Sequence, residues 1–224
     1  MKKYNKELLI AILAGGKSRR IGTHKYLLPS ENPLIKVIIE RIYNDKVFDI
    51  VLIVKNPEQI STISSILHGY KDIVYIPDIS IRKHVIVGVL TATVYALYRG
   101  FEYMCVLGSD MPLISLKFLE FMFKVIKRGY DAVVPRWRNG FIEPLASVYK
   151  VSKLYEAIVD TLLTMHLDRC SLRSVIKRLE LAGRVLYISA ELICSLFGYV
   201  FYNINTVQDL EVLKFVKMSV RGKT

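Results

Sequence analysis

The chain predicts an α/β domain built on a mostly parallel sheet, and three observations lead there. Apolar, β-rich runs of about five residues recur without polar alternation. Helix-like stretches separate these runs. The 224 residues are 52% hydrophobic and 23% charged, an ordered composition on a chain long enough to bury a sizeable core. Strands that are apolar on both faces need helices on both faces, which is the situation of a parallel sheet.

The elements follow in order. Residues 8–13 (LLIAIL) form the first strand. With lysines ahead of it, this start imitates a secretory leader. The apolar stretch is short for that purpose, and glycines and cations follow it without a small-x-small cleavage site. A helix is expected over 33–43, a strand over 49–54 (DIVLIV), a helix over 58–67 and a strand over 72–76 (DIVYI). A helix over 87–99 leads to a strand over 103–107 (YMCVL). Ser115 suits the N-cap of a helix over 116–128, with Gly129 as its stop. Strands at 131–134 and 145–149, helices near 152–166 and 171–181, and a short strand at 184–188 come next. Thr206-x-x-Asp209 resembles a capping box opening a last helix to about residue 217. Segments 30–33 (SENP) and 136–144 (RWRNGFIEP) read as loops inside one fold, so residues 1–224 are expected to form one domain.

The formal charge is +12, from 32 Lys and Arg against 20 Asp and Glu. Such a balance favours anionic partners, or is simply a solvated basic surface. The cations of the 171–181 segment, Arg173, Lys177 and Arg178, fit a solvated face equally well. Cys105, Cys170 and Cys194 are too scattered for a disulfide framework or a metal site, which suits a reducing cytoplasm. No run of about 18 apolar residues is present, so no spanning helix is expected. The four histidines are scattered, and a catalytic histidine is not expected.

Chemistry concentrates after strands one and four. The segment LAGGKSRRIGTHK starts at Leu13. Its Gly16-Lys17-Ser18 looks like the end of an ATPase P-loop, but Ala11 stands where that motif needs its first glycine. Ala14, Gly15 and Gly16 can instead turn backbone N–H groups toward an anion, with Arg19, Arg20 and Lys25 to neutralise a polyphosphate. GSDMP follows the fourth strand. In a parallel sheet both segments fall at the carboxyl-end mouth, where ligands gather.

The run L-A-G-G-x-S-x-R-x-G-x-x-K resembles the signature of nucleotidyltransferases that attach a nucleoside monophosphate to a phosphorylated acceptor. Within them it is most similar to the molybdenum cofactor guanylyltransferases, the MobA-like family. GSDMPLIS (108–115), EPLASVYK (143–150) and YNINTVQDL (202–210) support this in the expected order, so the resemblance reaches from Leu13 to Leu210. It implies a single-domain, three-layer, Rossmann-like nucleotidyltransferase fold. The part to about residue 115 would bind the nucleotide and the remainder the acceptor. It further implies that Leu13, Ala14, Gly15 and Gly16 lie along the nucleotide, that Lys25 and Arg19 offset phosphate charge, and that Asp110 binds Mg²⁺. Asn56 and Asp78 would help hold the guanosine part. Arg20, Gly22, Pro144, Leu145, Asn203 and Asn205 would face the acceptor, with Asn203 and Asn205 at the acceptor or metal side. The implied reaction is Mg²⁺-dependent transfer of GMP from GTP to a phosphorylated pterin carrying Mo or W, in the cytoplasm, by a monomer or weak homo-oligomer. Neither a nucleic acid nor a membrane would take part.

Two positions depart from the family pattern. His24 precedes the loop lysine where an acidic residue is frequent, and Gly88-Val89-Leu90-Thr91-Ala92 stands where the family reads Gly-Pro-Leu-x-Gly. Two alternatives stay open. One keeps the chemistry with another nucleotide or acceptor, such as a corrinoid, sugar or small phosphate ester. The other is a non-catalytic nucleotide- or RNA-binding protein.

Overall fold

The computed structural model describes residues 7–14, 27, 32–44, 48–79, 84–206 and 208–211. Among them, seven strands form one sheet in the order β3-β2-β1-β4-β6-β5-β7. The strands are β1 (Leu8–Leu13), β2 (Asp49–Val54), β3 (Ile73–Pro77), β4 (Tyr103–Gly108), β5 (Ala132–Arg136), β6 (Ala146–Lys150) and β7 (Val185–Ser189). The helices are α1 (Leu34–Ile42), α2 (Glu58–Ile66), α3 (Val85–Arg99), α4 (Leu116–Ile126), α5 (Val151–Thr164), α6 (Leu172–Ala182) and α7 (Ala190–Phe197).

β1 shows why non-alternating runs become central strands. Successive side chains point to opposite faces of the sheet. Leu8, Ile10 and Ile12 enter the core formed with α1, α4 and α7, where Phe118 packs edge-on against Phe197 and Phe201. Leu9 and Ala11 enter the opposite core, formed with α3, α5 and α6. Both faces are covered, so both sets must be apolar, and the three layers expected from the sequence are present. The apolar stretch Leu8–Leu13 of the leader-like segment is a buried strand.

Most expected elements appear within two residues of their predicted ends. α4 ends at Ile126 rather than at 128, and α3 begins at Val85 rather than at 87 because the His84 Nδ1 accepts from the Ile86 amide. α7 was not anticipated; its Ser189 cap and Gly198 stop were the available signals. The capping box forms as expected: Thr206 Oγ1 accepts from the Asp209 amide at 3.3 Å, and Asp209 Oδ2 accepts from the Thr206 amide at 2.7 Å. The continuation of that helix past residue 211 lies outside the described residues.

One feature of the sheet goes beyond the sequence reading. β6 runs antiparallel to both neighbours, β4 and β5, whereas the other pairings are parallel. The reversal brings the amino end of β6, and the 137–145 connection before it, to the edge where β1 and β4 end.

Candidate active site at the carboxyl edge of the sheet

β2 and β3 lie to one side of β1, and β4 lies to the other. The β1–β4 boundary is therefore the switch point of the sheet, where a crevice opens beyond the strand ends. Leu13 pairs with Gly108 at the last register position. Beyond it the Ser109 amide donates to the Leu13 carbonyl at 3.3 Å, and the Ala14 amide donates to the Ile53 carbonyl at 2.8 Å. The floor of the crevice is thus fixed backbone.

Asp110 stands directly on this floor. The Ile204 amide donates to its carbonyl at 2.8 Å. Arg41 of α1 holds the following turn through the carbonyls of Ile114 (3.0 Å) and Leu113 (3.3 Å). The Asp110 carboxylate folds back over Gly108, so that a Cβ on Gly108 would lie 2.5 Å from its Oδ1. Glycine leaves room there for the carboxylate, which a side chain at 108 would push aside.

Asn203 and Asn205 flank Ile204, which is fully buried in a satellite core with Leu34, Leu113 and Leu210. The Ile204–Asp110 backbone bond brings the segment that carries both asparagines next to Asp110. Asp209 locks the segment by accepting from the Asn205 and Thr206 amides, each at 2.7 Å. Burial pushes its carboxyl up, but those two amides and its other hydrogen bonds outweigh burial and hold it below its ordinary value.

On the β2–β3 side, Asp78 follows β3, and its amide donates to the Val54 carbonyl at 2.7 Å. The buried Thr91 hydroxyl lies 3.1 Å from Asp78 Oδ1 and 2.9 Å from the Val87 carbonyl, and it accepts from the Ile79 amide at 3.2 Å. A Cβ on Gly88 would stand 3.5 Å from the Leu13 side chain and 3.8 Å from Asp78 Oδ2. Leu13, Asp78, Gly88 and Thr91 thus share one wall, although the sequence separates Leu13 from the rest. Asn56 is also at this edge, but its Oδ1 accepts from the Gln59 amide at 3.2 Å and its amide group donates to Glu58, so it caps α2.

On the β6 side stand Glu143, Pro144 and Leu145. The Leu145 carbonyl accepts from the Gly108 amide at 3.2 Å, which ties this segment to the Asp110 floor. Glu143 Oε1 accepts from Trp137 Nε1 at 2.7 Å. Burial raises its carboxyl above the ordinary glutamate value, the Trp137 donor opposes this, and the Asp110 charge adds to it. Sequence reasoning left Glu143 without a role and missed Trp137; adjacency to Pro144 was the available signal. Pro144 and Leu145 also line a cavity of about 590 Å³ together with Phe141 and Arg173.

Gly15, Gly16, Arg19, Arg20, Gly22 and Lys25, the glycine-loop residues expected to act, lie outside the described residues. Among the described residues, no group of three His, Cys, Asp or Glu side chains could hold a metal ion. No described helix is long and apolar enough to cross a membrane.

The MobA-like NTP transferase domain matches residues 10–183 of this chain. The chain belongs to that family. Its activity is nucleotidyl transfer, and the family-matched region runs from β1 through the end of α6. A relative from Thermococcus gammatolerans named "probable molybdenum cofactor guanylyltransferase" is 28% identical over 89% of this chain and 95% of its own length. A relative of the same name from Pyrococcus horikoshii is 29% identical over 92% of this chain and 99% of its own. The crystal structure of molybdopterin-guanine dinucleotide biosynthesis protein A from Archaeoglobus fulgidus superposes with a TM-score of 0.73. It is 26% identical and covers 94% of this chain and 99% of its own.

Proposed function

We propose that this MobA-like protein transfers GMP from GTP to a molybdopterin-type acceptor carrying Mo or W, releasing pyrophosphate and forming a guanine dinucleotide cofactor. The observation that carries the reading is the Asp110 carboxylate, held over Gly108 at the β1–β4 switch point of a chain whose full-length relatives bear the guanylyltransferase name.

The residues on that floor suit Mg²⁺. The Asp110 carboxylate supplies hard oxygen donors, and Mg²⁺ commonly takes one or two carboxylates while phosphate and water fill its other positions. When bound, the ion neutralises charge on the phosphate oxygens. The chain itself positions the reactants. Asp78, fixed by Thr91, offers an acceptor to the N–H edge of guanine, beside the small Gly88 and the Leu13 wall. Lys25 and Arg19 offset the charge of the leaving pyrophosphate, and Arg20, Gly22, Pro144 and Leu145 face the acceptor. An acceptor phosphate is an adequate nucleophile near neutral pH, so the acceleration comes from placement and electrostatics. In this reading the part of the chain to about residue 115 binds nucleotide and the remainder binds acceptor. The protein works in the cytoplasm as a monomer or weak homo-oligomer.

Calorimetric titration with GTP, ATP, CTP and UTP, with and without Mg²⁺, tests it on wild type and on Lys25→Ala. Tight GTP binding that needs Mg²⁺ and weakens in the variant is expected. Preference for another base would move the protein to a different donor, and loss of all nucleotide binding would overturn the reading.

A further inference from the structure

The 137–141 connection between β5 and β6 is a built hairpin tip. The Trp137 amide donates to the Phe141 carbonyl at 2.8 Å, the Gly140 amide to the Trp137 carbonyl at 2.9 Å, and the Phe141 amide to Asn139 Oδ1 at 3.0 Å. Gly140 has φ 82°, a left-handed conformation that disfavours a side chain. Trp137 anchors the tip, edge-on to Phe201 at 5.9 Å and hydrogen-bonded to Glu143. The anchored tip holds Phe141 66% exposed at the cavity described above.

Arg173, at the start of α6, faces the same tip. Its guanidinium carbon stands 5.9 Å from the Phe141 ring centre, and Nη2 donates to the Gly140 carbonyl at 3.2 Å. Val85, Ile142, Pro144, Leu145 and Leu172 supply apolar walls. A volume of about 590 Å³ falls within the ordinary range of small-molecule sites. Leu145 is shared: it lines the cavity, its carbonyl accepts from Gly108, and a Gly108 Cβ would stand 3.7 Å from its side chain. The cavity and the Asp110 floor therefore have a common wall.

We propose that this cavity is the recognition site for the flat heterocycle of the acceptor, with Phe141 as its stacking surface and Arg173 as the cation for its anionic substituents. The identity of the heterocycle as a pterin rests on the guanylyltransferase reading; the cavity, the exposed ring and the cation do not. Apolar walls with one aromatic face suit a planar ring, and planar rings stack on aromatic side chains without needing a particular hydrogen-bond pattern. A guanidinium beside the ring adds attraction for the negative charge that a phosphorylated acceptor carries. Phe141 and Arg173 are thus binding residues for the acceptor and make no claim on the nucleotide.

The test uses pterin-6-carboxylate, a fluorescent planar anion, titrated into wild type, Phe141→Ala, Phe141→Tyr and Arg173→Ala. GMP transfer to molybdopterin is assayed in parallel. Phe141→Ala should weaken pterin-6-carboxylate binding roughly tenfold and raise the acceptor KM by a similar factor, with the KM for GTP at its wild-type value. Phe141→Tyr should restore both, and Arg173→Ala should weaken binding of the anionic probe. Wild-type behaviour in Phe141→Ala overturns the proposal. So does absence of probe binding to the wild type, or a change in association state by sedimentation without a change in probe binding. If wild type transfers no GMP to molybdopterin yet binds the probe through Phe141, the guanylyltransferase reading fails and the ring site stands. If transfer proceeds and Phe141→Ala matches wild type, the reverse holds.

Discussion

The two walls of the crevice are built by opposite means. On the β1–β3 side, polar side chains are fixed by short-range hydrogen bonds: Thr91 holds Asp78, and Asn56 is absorbed into capping α2. On the β6 side an antiparallel strand delivers a hairpin whose tip presents an aromatic ring and an apolar cavity. Between them stands Asp110, whose carbonyl accepts from the Ile204 amide. A polar, locked wall suits recognition of a base by its hydrogen-bonding edge. An apolar wall with one cation suits a ring recognised by its face. In the proposed reading, donor and acceptor take opposite sides of one carboxylate.

Substitutions can break that comparison at its centre first. Asp110→Ala removes the shared carboxylate but keeps the backbone bond from Ile204, so pyrophosphate release should fall by about 10³-fold with an unchanged melting curve. Near-normal turnover would remove the carboxylate from the chemistry. Gly108→Ala is the subtler blow, since its methyl would displace Asp110 Oδ1. Turnover should fall by about 10²-fold while the circular dichroism spectrum stays native, and full activity would show that the placement of the carboxylate does not matter. Thr91→Val sharpens the donor side. It leaves the Ile79 amide and Asp78 without the hydroxyl, and GTP affinity should drop about fivefold with the acceptor KM unmoved, corresponding to about 1 kcal/mol. An equal effect on both substrates would dissolve the distinction between the walls.

Glu143→Gln gives the smallest effect and reports on the acceptor side. Burial holds the Glu143 carboxyl above its ordinary value. Its contribution to stability is therefore full below the ordinary glutamate pKa and is lost as pH rises through the folded value. Glutamine keeps the shape and an acceptor for Trp137. Thermal melts without divalent cations should match wild type near pH 4 and show a slightly more stable variant at pH 7; a less stable variant at pH 7 would show the charge to be favourable there.

The fold was legible because parallel strands buried on both faces leave an unmistakable pattern: LLIAIL, DIVLIV and YMCVL are β1, β2 and the body of β4. The placement of Asp110 at the carboxyl edge was legible because it stands two residues after such a strand. Ser115 was legible as a cap, and its hydroxyl accepts from the Phe118 amide at 3.3 Å. Thr91 as the partner of Asp78 was not, because it lies thirteen residues away and meets it only when α3 packs onto the sheet. Arg173 looked like one solvated cation among three, because nothing along α6 reveals a hairpin arriving from residues 137–141.

The sequence by itself determined the layers, the strand-by-strand core and the placement of Asp110 after a central strand, because burial on two faces is a local demand on residue type. Only the tertiary structure decided which segments face one another. The antiparallel β6 reverses the chain and brings Glu143, Pro144 and Leu145 to the edge where β1 and β4 end. Strand direction depends on how a whole hairpin pairs with its neighbours, and an apolar run of five residues is equally content to run either way.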